Sequence, residues 1–180
     1  MFQDTSVLGR LANGVARWMA IAGGIVLLAM VVLVVVSVTG RAFIWAGLKP
    51  ILGDYELVTV GMGFAVFAFL PIAHIARGHA LVSLITDSLG PRTNAWILVV
   101  TDLLMLVASA FIAWRLWFGM LDKFNYRETT ILLGISMGWA FAAAMVGAAA
   151  MVFVAFYVFG RSISDALAGR AGPKHVGSEH

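Results

Sequence analysis

The stretch Leu57–Ala76, LVTVGMGFAVFAFLPIAHIA, holds 20 residues without Asp, Glu, Lys or Arg. A helix rises about 1.5 Å per residue, so roughly 20 residues cross the hydrocarbon core of a bilayer, which is about 30 Å thick. Backbone polar groups inside a bilayer must be satisfied within their own segment, and such a run is therefore predicted to be a helix. Three other runs share this character, and the four predicted spans cover residues 18–40, 57–76, 95–118 and 135–159.

Composition supports the same fold class. The chain is 62% hydrophobic and 12% charged, whereas soluble domains are about 25% charged. The absence of cysteine excludes a disulfide framework. The basic residues are scattered between apolar blocks and form no patch for nucleic acid, so membrane lipids are the expected surroundings. We predict an all-α membrane protein, a single four-helix domain over residues 1–180.

The distribution of Lys and Arg predicts the orientation. With the N-terminus inside, the inner segments hold seven of these residues and the outer loops four. Cytoplasmic loops are enriched in Lys and Arg, so both termini are predicted to be cytoplasmic, with a flexible tail at residues 161–180. The inner set is Arg10, Arg17, Arg77, Arg92, Arg161, Arg170 and Lys174, and the outer set is Arg41, Lys49, Lys123 and Arg127.

The inner loop that follows the second span begins HIARGHALVSL at His74. Arg77 is the first charge after the apolar run, so we expect Arg77 and His79 to lie at the lipid headgroups. Apolar residues between His79 and Leu89 can share one helical side, which predicts a short helix in the headgroup plane. His74 and His79 are about 140° apart around a helix, so they are not expected to bind one metal ion together, and a haem would need a second histidine on a facing helix.

Asp102 and Arg115 interrupt the third span. Asp102 lies about 10 Å along the helix from Ala95, and a carboxylate at such a depth is usually paired or functional. Its partner could be His74, Arg77 or a group on another chain. The alternatives are an ion or proton site, or simple exposure if the span is misplaced. Arg115 is expected to extend to the outer headgroups.

The outer ends of the first two spans carry further candidates. Trp45 is predicted to anchor the outer loop at the interface. Asp54 and Glu56 open the second span, where acids meet the positive end of the helix dipole and are expected to cap it. Arg41 could pair with either acid.

The fourth span has a pattern of small residues. Gly134 and Gly138 form a GxxxG motif, and such patterns let membrane helices approach closely. The contact could be internal or with a partner. The stripe with a four-residue period consists of Ser136, Ala140, Ala144 and Ala148.

Three blocks resemble the small membrane subunit of tripartite ATP-independent periplasmic (TRAP) transporters, the DctQ type. They are DYELVTVGMGFAVFAFL from Asp54, ARGHALVSLITDSL from Ala76 and ETTILLGISMGWAFAAAMVG from Glu128. Glu56 matches the acidic position of that family, and His79 matches its loop histidine.

The resemblance implies a scaffold subunit of the bacterial inner membrane. Such a subunit pairs with a large multi-span membrane subunit that carries the substrate and sodium sites, and a periplasmic binding protein delivers an organic acid. No substrate site, metal, cofactor or enzymatic activity is then expected in this chain. The residues themselves agree, because no P-loop, HExxH motif or carboxylate cluster occurs.

Two other interpretations stay open on the sequence. One is the small subunit of a tripartite tricarboxylate transporter, which is also short and has four spans. The other is a membrane anchor of a redox enzyme that binds haem or quinone.

Overall fold

A computed structural model of the protein describes residues 7–76 and 91–168, with the backbone alone for 91–94. The helices are α1 (Val7–Ala42), α2 (Asp54–Ile75), α3 (Pro91–Asn125) and α4 (Met137–Leu167), with a 3₁₀ turn at Ile44–Ala46. All four α-helices are long and apolar enough to cross a membrane. No strand occurs in the described ranges, so the predicted all-α class with four membrane helices is confirmed.

Two predicted features lie wholly or partly outside the described residues. These are the short interfacial helix at 79–89 and the tail after Ala168. The first part of the predicted tail, 161–167, instead continues α4. An i,i+4 ion pair of Arg161 with Asp165 and a contact of Ser162 with α3 favour the helical conformation there.

Helix α4 is the central element, because it packs against α1, α2 and α3. Helix α2 lies between α1 and α4, while α3 packs mainly on α4. The order across the bundle is thus α1, α2, α4, α3. Helices α1 and α3 form its two sides, and most of their surface is exposed.

Small residues set how closely these helices approach. A Cβ added at Gly23 of α1 would lie 3.0 Å from Ala68 Cβ of α2. A Cβ added at Gly147 of α4 would lie 2.8 Å from the carbonyl carbon of Phe67 of α2. Since α2 and α4 run in the same direction, Phe67 and Gly147 mark equal heights in the bundle.

Helices α3 and α4 run antiparallel, and three contacts give their register. Gly119 faces Phe141, and Gly138 faces Phe124. Near the other end, Asp102 accepts a hydrogen bond from Ser162. These pairs agree on the register to within about four residues.

The end of the bundle that carries the loop between α3 and α4 is called outer, after the predicted orientation, and the opposite end inner. The register places the inner part of α3 beyond α2. Gly147 is level with Phe67, so Ile75 at the end of α2 is level with about Ala155. Ser162, which bonds to Asp102, is seven residues or about 10 Å further inward. Asp102 therefore lies past the inner end of α2, whereas the sequence alone placed it about 10 Å inside the third span.

Candidate functional site

The outer ends of α1 and α2 are joined by polar contacts. Asp54 accepts a hydrogen bond from the buried hydroxyl of Ser37 and lies 3.4 Å from the Arg41 guanidinium. Arg41 thus pairs with Asp54, one of the two acids expected for it. Asp54 lies in the first turn of α2, but the N-cap residue is Gly53, with a left-handed φ of 77° and no side-chain cap.

Glu56 has a role that the sequence did not indicate. Its Oε1 accepts the backbone N–H of Leu132 at 2.9 Å, and its Oε2 accepts the N–H of Leu133 at 3.0 Å. The Leu133 side chain covers Gly53, where an added Cβ would lie 2.5 Å from Leu133 Cγ. Glu56 therefore ties the loop between α3 and α4 to the start of α2 instead of capping that helix.

The loop between α3 and α4 is closed by its own hydrogen bonds. Thr130 N–H donates to Ile135 C=O, and Met137 N–H donates to Glu128 C=O, both at 2.9 Å. Lys123 forms an ion pair with Glu128 at its base. The tip points outward, and Ile131 is 96% exposed. The loop is a braced structure that presents an apolar tip.

Other large apolar side chains are exposed at the outer end. Trp45, the predicted interfacial anchor, is 83% exposed, and Tyr55 and Trp139 are also exposed. An exposed aromatic group of this kind suits a membrane interface or a protein partner. The anchoring role of Trp45 stays a prediction.

A second polar contact lies at the inner end. Ser162 Oγ donates to Asp102 Oδ2, and the two residues are 4% and 5% exposed. The sequence suggested other partners for Asp102 and missed Ser162, which follows the predicted end of the fourth span. Of the other inner candidates, His74 is buried, while Arg77 and His79 lie outside the described residues.

The residues of the small-residue stripe differ in burial along its length. Ala144 and Ala148 are buried inside this chain, Ala140 is half-buried, and Ser136 precedes the helix. Gly134 lies in the loop with a φ of 65°, so it cannot form a helical GxxxG pair with Gly138. The buried half of the stripe therefore serves contacts within the subunit.

These contacts brace the fold. Among the residues that the structure describes, no three His, Asp or Glu side chains are grouped to hold a metal ion. The described carboxylates at 54, 56 and 102 all accept hydrogen bonds from this chain. The result is a helical bundle whose exposed sides carry many large apolar side chains.

A comparison with protein families gives one finding. The family model described as "Tripartite ATP-independent periplasmic transporters, DctQ component" matches residues 30–165. The match covers α2, α3, most of α4 and the outer part of α1. No curated protein and no solved structure matches the chain.

Proposed function

Since the chain belongs to the DctQ component family of the tripartite ATP-independent periplasmic transporters, we propose that it pairs with a large membrane subunit for sodium-coupled uptake of an organic acid. It is a multi-pass protein of the inner membrane. The family match over residues 30–165 carries the proposal. The same match favours this function over a tricarboxylate transporter subunit or a redox anchor.

The polar groups of the bundle support a scaffold role. A sodium site needs several oxygen ligands that converge on one point. The described carboxylates are hydrogen-bonded, ion-paired or exposed. We therefore assign the substrate and sodium sites to the large subunit and an organic acid to the periplasmic binding protein, with neither enzymatic activity nor a cofactor in this chain.

The orientation is part of the proposal. The excess of Lys and Arg in the inner segments supports cytoplasmic termini and a periplasmic loop between α3 and α4. A C-terminal reporter active only in the cytoplasm should work, and the same reporter fused after Lys49 should not. The opposite result would reverse the orientation.

Reconstitution tests the proposed function. The chain should co-purify with the large subunit that is co-expressed with it. The pair should take up an organic acid only when sodium and the periplasmic binding protein are both present. A large subunit that transports equally well without this chain would contradict the scaffold role.

The variant Asp102→Asn separates assembly from coupling in the same assay. Asn keeps an acceptor for Ser162 Oγ but removes the charge, so we expect less assembled complex or little change. Uptake per assembled complex should keep its normal sodium dependence, and Ser162→Ala should behave similarly. A changed number of coupled sodium ions at normal assembly would place part of the ion pathway in this subunit.

A further inference from the structure

Helix α3 has an exposed face that carries a charge. Phe111, Trp114 and Phe118 lie on this face, with centroids of neighbouring rings 6.0 and 5.6 Å apart. Arg115, beside Trp114, is exposed as well. Within the described residues, Arg115 has no hydrogen-bond or ion-pair partner.

The helix register gives the depth of Arg115. Arg115 is four residues, about 6 Å, inward of Gly119, and Gly119 faces Phe141 of α4. The equal step along the antiparallel α4 leads to Met145. Gly147 lies against Phe67 of α2, so Met145 is level with about residue 65.

Residue 65 is the middle of α2. This helix has 22 residues, about 33 Å, which matches the hydrocarbon core of a bilayer. The sequence alone had placed Arg115 near the outer end of its span. In the folded bundle Arg115 is level with the middle of α2, on the outside of a peripheral helix.

Lipid is an unfavourable neighbour for this face. An arginine at the centre of a membrane helix is costly in lipid, and it is from positions near helix ends that long basic side chains reach the headgroups. Charged residues at mid-depth almost always face protein or a water-filled cavity. The aromatic neighbours agree, because Trp, Phe and Arg are enriched in protein interfaces.

A second copy of this chain does not supply the missing partner. The described carboxylate nearest to this level is Asp122, seven residues or about 10 Å further along α3. A symmetric side-by-side contact between two copies would therefore leave Arg115 without a carboxylate. The periplasmic binding protein, outside the bilayer, cannot reach mid-depth.

We propose that the Arg115 face of α3 is the intramembrane contact with the large subunit, and that a transmembrane segment of that subunit offers a carboxylate or backbone carbonyls to the guanidinium. This inference rests on the proposed function, because the occupant is the large subunit of that transporter. Beyond the proposed function, the inference specifies which face of the bundle binds the large subunit and which chemical groups make the contact.

The variant Arg115→Leu distinguishes a face that contacts the large subunit from a face that contacts lipid. If the face contacts the large subunit, the amount of complex recovered at equal subunit levels should fall about tenfold or more, since a buried charge on the partner is left unpaired. The amount of the small subunit expressed alone should not fall, because a charge has been removed from an apolar surface. Arg115→Lys should restore part of the complex.

Lys49→Leu is the control for loss of an exposed cation and should assemble normally. Wild-type recovery with Arg115→Leu would overturn the inference and indicate that Arg115 reaches lipid headgroups. Failure of the wild-type chain itself to bind the large subunit would instead refute the proposed function, so the two failures are distinguishable.

A second measurement applies if Arg115→Leu is poorly produced. A photoreactive phenylalanine analogue at Phe118, on the same face, should crosslink the wild-type complex to the large subunit. Crosslinks to lipid alone would overturn the inference, and crosslinks between two copies of this chain would overturn it equally.

Discussion

Replacement of Gly147 by leucine is expected to prevent α2 and α4 from packing. A single Cβ at this position would lie 2.8 Å from the backbone of Phe67, and backbone cannot move aside as a flexible side chain can. Overpacked cores lose about 1–3 kcal/mol, and we expect a loss at the upper end of that range. The thermal stability of the purified subunit in detergent and its yield in monodisperse form would both fall.

Gly160→Leu is the matched control for this variant. Gly160 lies on the same helix, and an added Cβ there has no neighbour within 4 Å. Both variants replace a glycine by a better helix former, so only the packing differs. Equal stability of the two variants would show that α2 and α4 do not meet at Gly147.

Glu56→Ala is expected to release the loop between α3 and α4. The carboxylate accepts hydrogen bonds from two consecutive N–H groups of the loop, and hydrogen bonds to a charged group are stronger than those between neutral groups. The chain has no cysteine, so Ile131→Cys gives one site for a nitroxide label at the exposed tip. The spectrum should change from restricted to mobile when Glu56 is removed.

Two further variants test whether the carboxylate itself holds the loop. Glu56→Gln keeps one carbonyl oxygen as an acceptor and should give intermediate mobility. Thr59→Ala is the control, because its hydroxyl bonds only to the nearby carbonyl of Tyr55. A label equally restricted in Glu56→Ala and wild type would mean that the backbone hydrogen bonds of the loop hold it without the carboxylate.

The four helices could be predicted because a bilayer leaves few choices. Runs without charges, such as Leu57–Ala76, must satisfy their backbone internally, and this requirement is visible in one segment at a time. The rotation of each helix about its own axis could not be predicted in this way. Residues 25–36 of α1 are apolar on every face, so no pattern within them shows which side meets α2.

The two polar contacts could not be predicted for a different reason. Asp102 and Ser162 are 60 residues apart, and their meeting depends on the register of two helices. The partners of Glu56 are backbone N–H groups, which every residue except proline carries and which leave no mark in the sequence. The level of Arg115 depends on the same register, whereas the sequence alone placed this residue by its distance from the end of an apolar run.

The order of the helices across the bundle differs from their order of synthesis. The ribosome delivers α3 before α4, although α4 is the main neighbour of α3. Helix α3 also carries Arg115, a charge level with the middle of α2 that makes the passage of this helix from the translocon into lipid costly. The hydrogen bond between Ser162 and Asp102 cannot form until Ser162 has been synthesised, 60 residues after Asp102. The nascent chain therefore passes through a stage in which the span that carries Arg115 lacks its main neighbour, and the completion of α4 ends that stage.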